Sequence, residues 1–106
     1  MDEQPTISTH VLDAQHGVPA AGVTVRLWRV DAVGEVPVGE AVTDDDGRIR
    51  RLLGVPLEKG EYRLEFSLGG QFFQRLSLAF RVSDATRTYH VPLLLAPFSL
   101  TTYRGS

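Results

Sequence analysis

Four stretches of this chain place apolar side chains at every second position, the repeat of a pleated strand and not of a helix. Across Gly22 to Val30, Val23, Val25 and Leu27 fall on one face and Thr24, Arg26 and Trp28 on the other. Tyr62, Leu64, Phe66 and Leu68 share one face of Glu61 to Leu68, and Leu76, Leu78, Phe80 and Val82 one face of Phe72 to Val82. In Thr88 to Leu95 the apolar face is Tyr89, Val91, Leu93 and Leu95. Further β-compatible runs cover Ile7 to Asp13, Val36 to Val42, Arg48 to Leu53 and Leu100 to Tyr103. Between them lie turn signals: Ala14 to Pro19, Thr43-Asp-Asp-Asp-Gly47, Pro56 to Gly60, Gly69-Gly70, Ser83 to Arg87 and Pro97. Asp and Gly suit such positions because they supply local side-chain hydrogen bonds and positive φ. Roughly eight short strands at this spacing predict an all-β, two-sheet antiparallel sandwich.

The length of 106 residues suits one domain spanning residues 1–106, long enough for a modest core. A net charge of −2 with both signs interspersed supports neither a nucleic-acid surface nor a polybasic membrane contact. The chain has no cysteine, which removes disulfides, thiolate metal sites and a cysteine nucleophile. The opening Met1-Asp-Glu-Gln-Pro-Thr6 is acidic and leads into no apolar h-region, and no run is long enough to span a bilayer. A cytoplasmic protein is therefore expected.

Candidates for chemistry are few. Histidine occurs at positions 10, 16 and 90. Strand alternation puts His10 with Ser8 and Leu12, and His90 with Thr88, Pro92 and Leu94, in each case on the less apolar face. Each histidine reads either as an ordinary sheet histidine on a surface or as part of a site. His16, beside Gly17, reads as a turn residue. Two histidines without a carboxylate or cysteine close in sequence do not make a metal set. Arg48 either offsets Asp44 to Asp46 or offers its planar donor fork to an anion or carbonyl. Arg104 and Ser106 carry the same two readings. No phosphate loop or nucleophile elbow is present.

Three blocks resemble the 5-hydroxyisourate hydrolases, the transthyretin-related enzymes of urate breakdown. They are Ser8-Thr-His-Val-Leu-Asp13 with Gly17-Val-Pro-Ala-Ala-Gly-Val23, then Thr43-Asp-Asp-Asp-Gly-Arg-Ile49, and then Tyr89-His-Val-Pro-Leu-Leu-Leu-Ala-Pro-Phe98 running through Thr102-Tyr-Arg-Gly-Ser106. The first and third together are specific, and the second is weak alone. The resemblance implies a transthyretin-like sandwich that assembles as a homotetramer, with active sites between its dimers. It implies catalytic roles for His10, Arg48 and His90, and a substrate-binding role for the tail Tyr103, Arg104, Gly105 and Ser106. The implied reaction opens the cyclic amide of 5-hydroxyisourate with water and needs no metal or cofactor.

Two departures from the family pattern stand out. Thr88 occupies a position where the family usually has histidine. Only Gly69-Gly-Gln-Phe72 bridges two strands where the family has a short helix and a longer loop, so that helix is expected to be shortened or absent. Two other functions remain open. One is a transthyretin-like small-ligand carrier, although the two histidines and the tail set this chain apart from transthyretin. The other is a non-catalytic module like the carboxypeptidase regulatory-like and collagen-binding B-type sandwiches, which the first two-thirds of the chain also resemble.

Overall fold

The alternating stretches pair mainly through hairpins. In the computed structural model, which describes residues 4–105, every regular element is a strand. Ten are present among the described residues: β1 (Ile7–Asp13), β2 (Val18–Pro19), β3 (Thr24–Asp31), β4 (Gly34–Val42), β5 (Arg48–Ile49), β6 (Gly60–Ser67), β7 (Arg75–Val82), β8 (Tyr89–His90), β9 (Leu93–Ala96) and β10 (Ser99–Thr102). They form a four-stranded sheet in the order β4-β3-β6-β7 and a six-stranded sheet whose main path is β10-β9-β1-β2, with β5 and β8 also paired to β1. No helix of the described residues is long and apolar enough to cross a membrane.

The four-stranded sheet follows the sequence pattern closely. Val25 and Leu27 on β3 and Tyr62, Leu64 and Phe66 on β6 are all buried between the sheets. The alternate residues form the outer face, where Arg63 stacks over the Trp28 ring at 4.0 Å and pairs with Glu35 at 2.8 Å. Pro37 lies on the edge strand β4 beside a register shift, a position where its missing N–H costs no ladder hydrogen bond. The family's short helix between β6 and β7 is absent, in line with the shortened sequence there. In its place the amides of Leu68 and Gly69 bond the Gln74 carbonyl and Gly70 N–H bonds that of Phe73, closing a tight hairpin with Gly69 at φ 58°.

The six-stranded sheet departs from the expected boundaries and directions. The run Arg48 to Leu53 is a strand only at Arg48–Ile49, and a short strand forms at Val18–Pro19 inside the expected turn. Thr88 to Leu95 divides into β8 and β9, because Pro92 has no N–H to give the ladder. The pairings of β1 with β8 and with β9 are parallel, so the sandwich is not wholly antiparallel. The sheet still fills its side of the core: Ile7, Val11, Ile49, Tyr89 and Leu93 are buried.

Candidate active site

The site is assembled on β1. Its core face carries Ile7, Thr9 and Val11, all buried, so Ser8 and His10 must project from the other face. Antiparallel pairing sets His10 opposite Arg48 of β5. Parallel pairing sets Ser8 opposite His90 of β8. Directly opposed residues share a face, and Ser8 and His10 stand about 7 Å apart along one strand. His10, Arg48 and His90 therefore form one half-buried cluster on the sheet face away from the core.

Each member is held locally. The turn before β5 closes with Gly47 N–H on the Asp44 carbonyl, while Gly47 carbonyl accepts Val11 N–H at 2.7 Å. Gly47 has φ 75°, and a Cβ there would lie 2.3 Å from the Val11 carbonyl oxygen, so the turn can dock on β1 only with glycine at this position. The Asp44 carboxylate accepts the amides of Arg48 and Asp46, which hold its pKa below the usual carboxylate value. His10 Nε2 lies 2.9 Å from the Asp46 carbonyl. A carbonyl only accepts, so Nε2 carries the proton. His90 Nδ1 meets Ser8 Oγ at 2.8 Å. Burial pushes the His90 pKa below 6.5, and the charges of Arg48 and His10 push it the same way. His90 is therefore neutral near neutral pH.

The tail returns to this cluster. Gly105 N–H bonds the His90 carbonyl at 2.8 Å, and a Cβ on Gly105 would lie 2.6 Å from the imidazole Cδ2. Arg104 does not join the two histidines. Its guanidinium lies 4.6 Å from the centre of the buried Tyr89 ring, whose side chain points opposite to that of His90. Tyr103 is largely exposed and lines a cleft of about 250 Å³ with Leu78, Phe80, Val91 and Arg104. Ser106 lies outside the described residues. Thr88 accepts Thr6 N–H at 3.1 Å, tying the entry of β1 to that of β8. His16 is remote from the cluster and caps its own turn through Asp13 at 2.8 Å.

A neutral His90 imidazole that shares a sheet face with His10 and the Arg48 guanidinium suits proton transfer next to a developing oxyanion. The sequence from Ile7 to Gly105, the stretch that contains all of these groups, matches the model of the HIUase/Transthyretin family. The chain belongs to that family. It is 41% identical to the 5-hydroxyisourate hydrolase of Deinococcus radiodurans, over the full length of both chains. That comparison extends over 119 residues, so the relative carries segments that the 106 residues here lack. Among solved structures, the 5-hydroxyisourate hydrolase of Klebsiella pneumoniae is 35% identical with a TM-score of 0.84, covering 97% of this chain and 100% of that one. Sea bream transthyretin in complex with thyroxine is 29% identical with a TM-score of 0.85, covering 93% of each.

Within the HIUase/Transthyretin fold, two groups escaped the reading of the sequence as site members. Ser8 was visible as a neighbour of His10 on the same face, but its contact with His90 depends on a parallel pairing across 82 residues. The Asp46 carbonyl is a backbone atom and leaves no residue-type signal.

Proposed function

We propose that this chain hydrolyses 5-hydroxyisourate, opening its cyclic amide to give 2-oxo-4-hydroxy-4-carboxy-5-ureidoimidazoline. The observation that carries this reading is the register that brings His10, Arg48 and His90 onto one face, with Gly105 of the tail against the His90 ring. A neutral imidazole takes a proton from water as the water oxygen attacks the amide carbonyl. General base catalysis of this kind is worth roughly 10²–10⁴-fold. Arg48 hydrogen-bonds the carbonyl oxygen as it becomes an oxyanion, a contribution of about 3 kcal/mol for one such donor. The intermediate collapses with cleavage of the C–N bond, and the imidazolium returns its proton to the leaving nitrogen.

Tyr103, Arg104, Gly105 and Ser106 bind substrate in this reading. The cluster lies half-buried on the sheet face away from the core, and in this reading a second copy covers it to complete the pocket. The reading also carries a homotetramer with the sites between dimers, implied by the family resemblance, and the cytoplasmic location expected from the sequence. Arg104 is turned onto Tyr89 and would have to leave that ring to reach substrate.

The direct test follows the absorbance decay of freshly made 5-hydroxyisourate, with solution mass and cell fractionation measured beside it. Accelerated decay that is lost on removing Tyr103 to Ser106 supports the reading, and a decay no faster than in buffer rejects it. The likeness to thyroxine-bound transthyretin favours a second reading as a carrier. Binding of a small apolar ligand without any effect on the decay would support that alternative.

A further inference from the structure

The two site histidines are held in opposite ways. His10 has its outer nitrogen, Nε2, committed as a donor to the Asp46 carbonyl. His90 is held by its inner nitrogen, Nδ1, against Ser8 Oγ at 2.8 Å. The backbone around His90 is fixed on both sides: Tyr89 N–H bonds the Thr6 carbonyl, Val91 N–H bonds the Ser8 carbonyl, and Gly105 N–H bonds the carbonyl of His90 itself. Gly105 also closes the Cδ2 edge of the ring. The uncommitted nitrogen of His90 is Nε2. The charged and titratable groups nearest His90 are Arg48 on β5 and His10 on β1.

A neutral imidazole has one N–H, and the partner of one nitrogen decides the state of the other. The serine hydroxyl is the only side-chain partner of Nδ1 among the described residues. We propose that Ser8 is a positioning residue for His90: its oxygen accepts the Nδ1 proton and so leaves Nε2 bare as the base that activates water. When Nε2 takes that proton, the Nδ1–H bond to Ser8 becomes charge-assisted and steadies the imidazolium. His10, with its proton fixed on Nε2, orients water or substrate. This assignment rests on the hydrolytic reading above and divides the labour within it.

The test uses the full chain with ¹⁵N-labelled histidine. In the wild type, His90 should show protonated Nδ1 and bare Nε2 at neutral pH, a result independent of any turnover. Ser8→Ala should shift the His90 signal toward the other tautomer and lower kcat roughly 10–100-fold with KM little changed, the usual cost of losing an orienting partner. Ser8→Thr keeps a hydroxyl and should restore both. A wild-type His90 protonated on Nε2 would overturn the proposal, as would full kcat in Ser8→Ala. Wild-type protein that shows the Nδ1–H tautomer without hydrolysing 5-hydroxyisourate would support the positioning contact and reject the reaction.

Discussion

In the β4-β3-β6-β7 sheet each strand is eight or nine residues long and pairs along nearly its whole length. In the other sheet β2, β5 and β8 are two residues each, and β1 alone pairs with four partners. The long hairpins stabilise themselves through local ladders and a continuous apolar face. The short strands cannot do so, and depend on β1 and on the core beneath it. In exchange they bring residues 8, 10, 48, 90 and 105 to one place. A regular sheet backs the core, and an irregular one gathers side chains that are far apart in sequence.

Substitutions in the two sheets should therefore separate turnover from stability. The largest effect on turnover should come from His90→Asn, which removes the proposed base from the irregular sheet: kcat falls roughly 10²–10⁴-fold while the melting temperature stays close to wild type. Unchanged turnover would remove His90 from the chemistry. The counterpart in the regular sheet is Phe66→Ala. Phe66 is fully buried, so its loss should cost about 3–5 kcal/mol in urea unfolding. A loss under about 1 kcal/mol would show that this sheet is not the rigid backing described.

Gly105→Ala tests the seam between tail and site. The added methyl must displace the His90 ring, and misplacement on that scale costs about 10²-fold in rate with little effect on unfolding. Retention of full activity would mean that the tail does not set the ring position.

A smaller effect is expected from pH. The folded pKa of His90 lies below 6.5, so as pH falls from neutral the unfolded chain takes up the proton first. Stability contributed by neutral His90 is then lost from about pH 6.5 downward, until the folded state is protonated too. The acid limb of kcat/KM should also lie below 6.5; a limb above it would contradict a desolvated base. The smallest effect is expected on the outer face of the regular sheet. Glu40→Gln breaks an exposed pair with Arg26 and should leave the melting temperature unchanged.

Legibility divides along the same line. The faces of β3 and β6 could be read because each is long enough for a period of two to show, and both sides of that period have a clear fate. β5 and β8 are too short to carry a period, and their partners lie 38 and 82 positions away on β1. His10, Arg48 and His90 were nonetheless identifiable as candidates, partly because alternation turned both histidines away from apolar neighbours and partly because their motifs match the family. What alternation could not supply was the direction of pairing, which makes Ser8 the partner of His90.

The amino-acid sequence by itself determined the all-β class, the inward faces of the long strands, the family, and the residue types available for chemistry. These follow from local periodicity and from residues kept at matching positions. Only the tertiary structure decided that β1 runs parallel to β8 and β9, that Ser8 and the Asp46 carbonyl hold the two histidines by opposite nitrogens, and that Arg104 turns onto Tyr89. The strand directions depend on which backbone groups remain to be paired after the core has closed, the side-chain contacts depend on what that pairing brings together, and no local pattern encodes either.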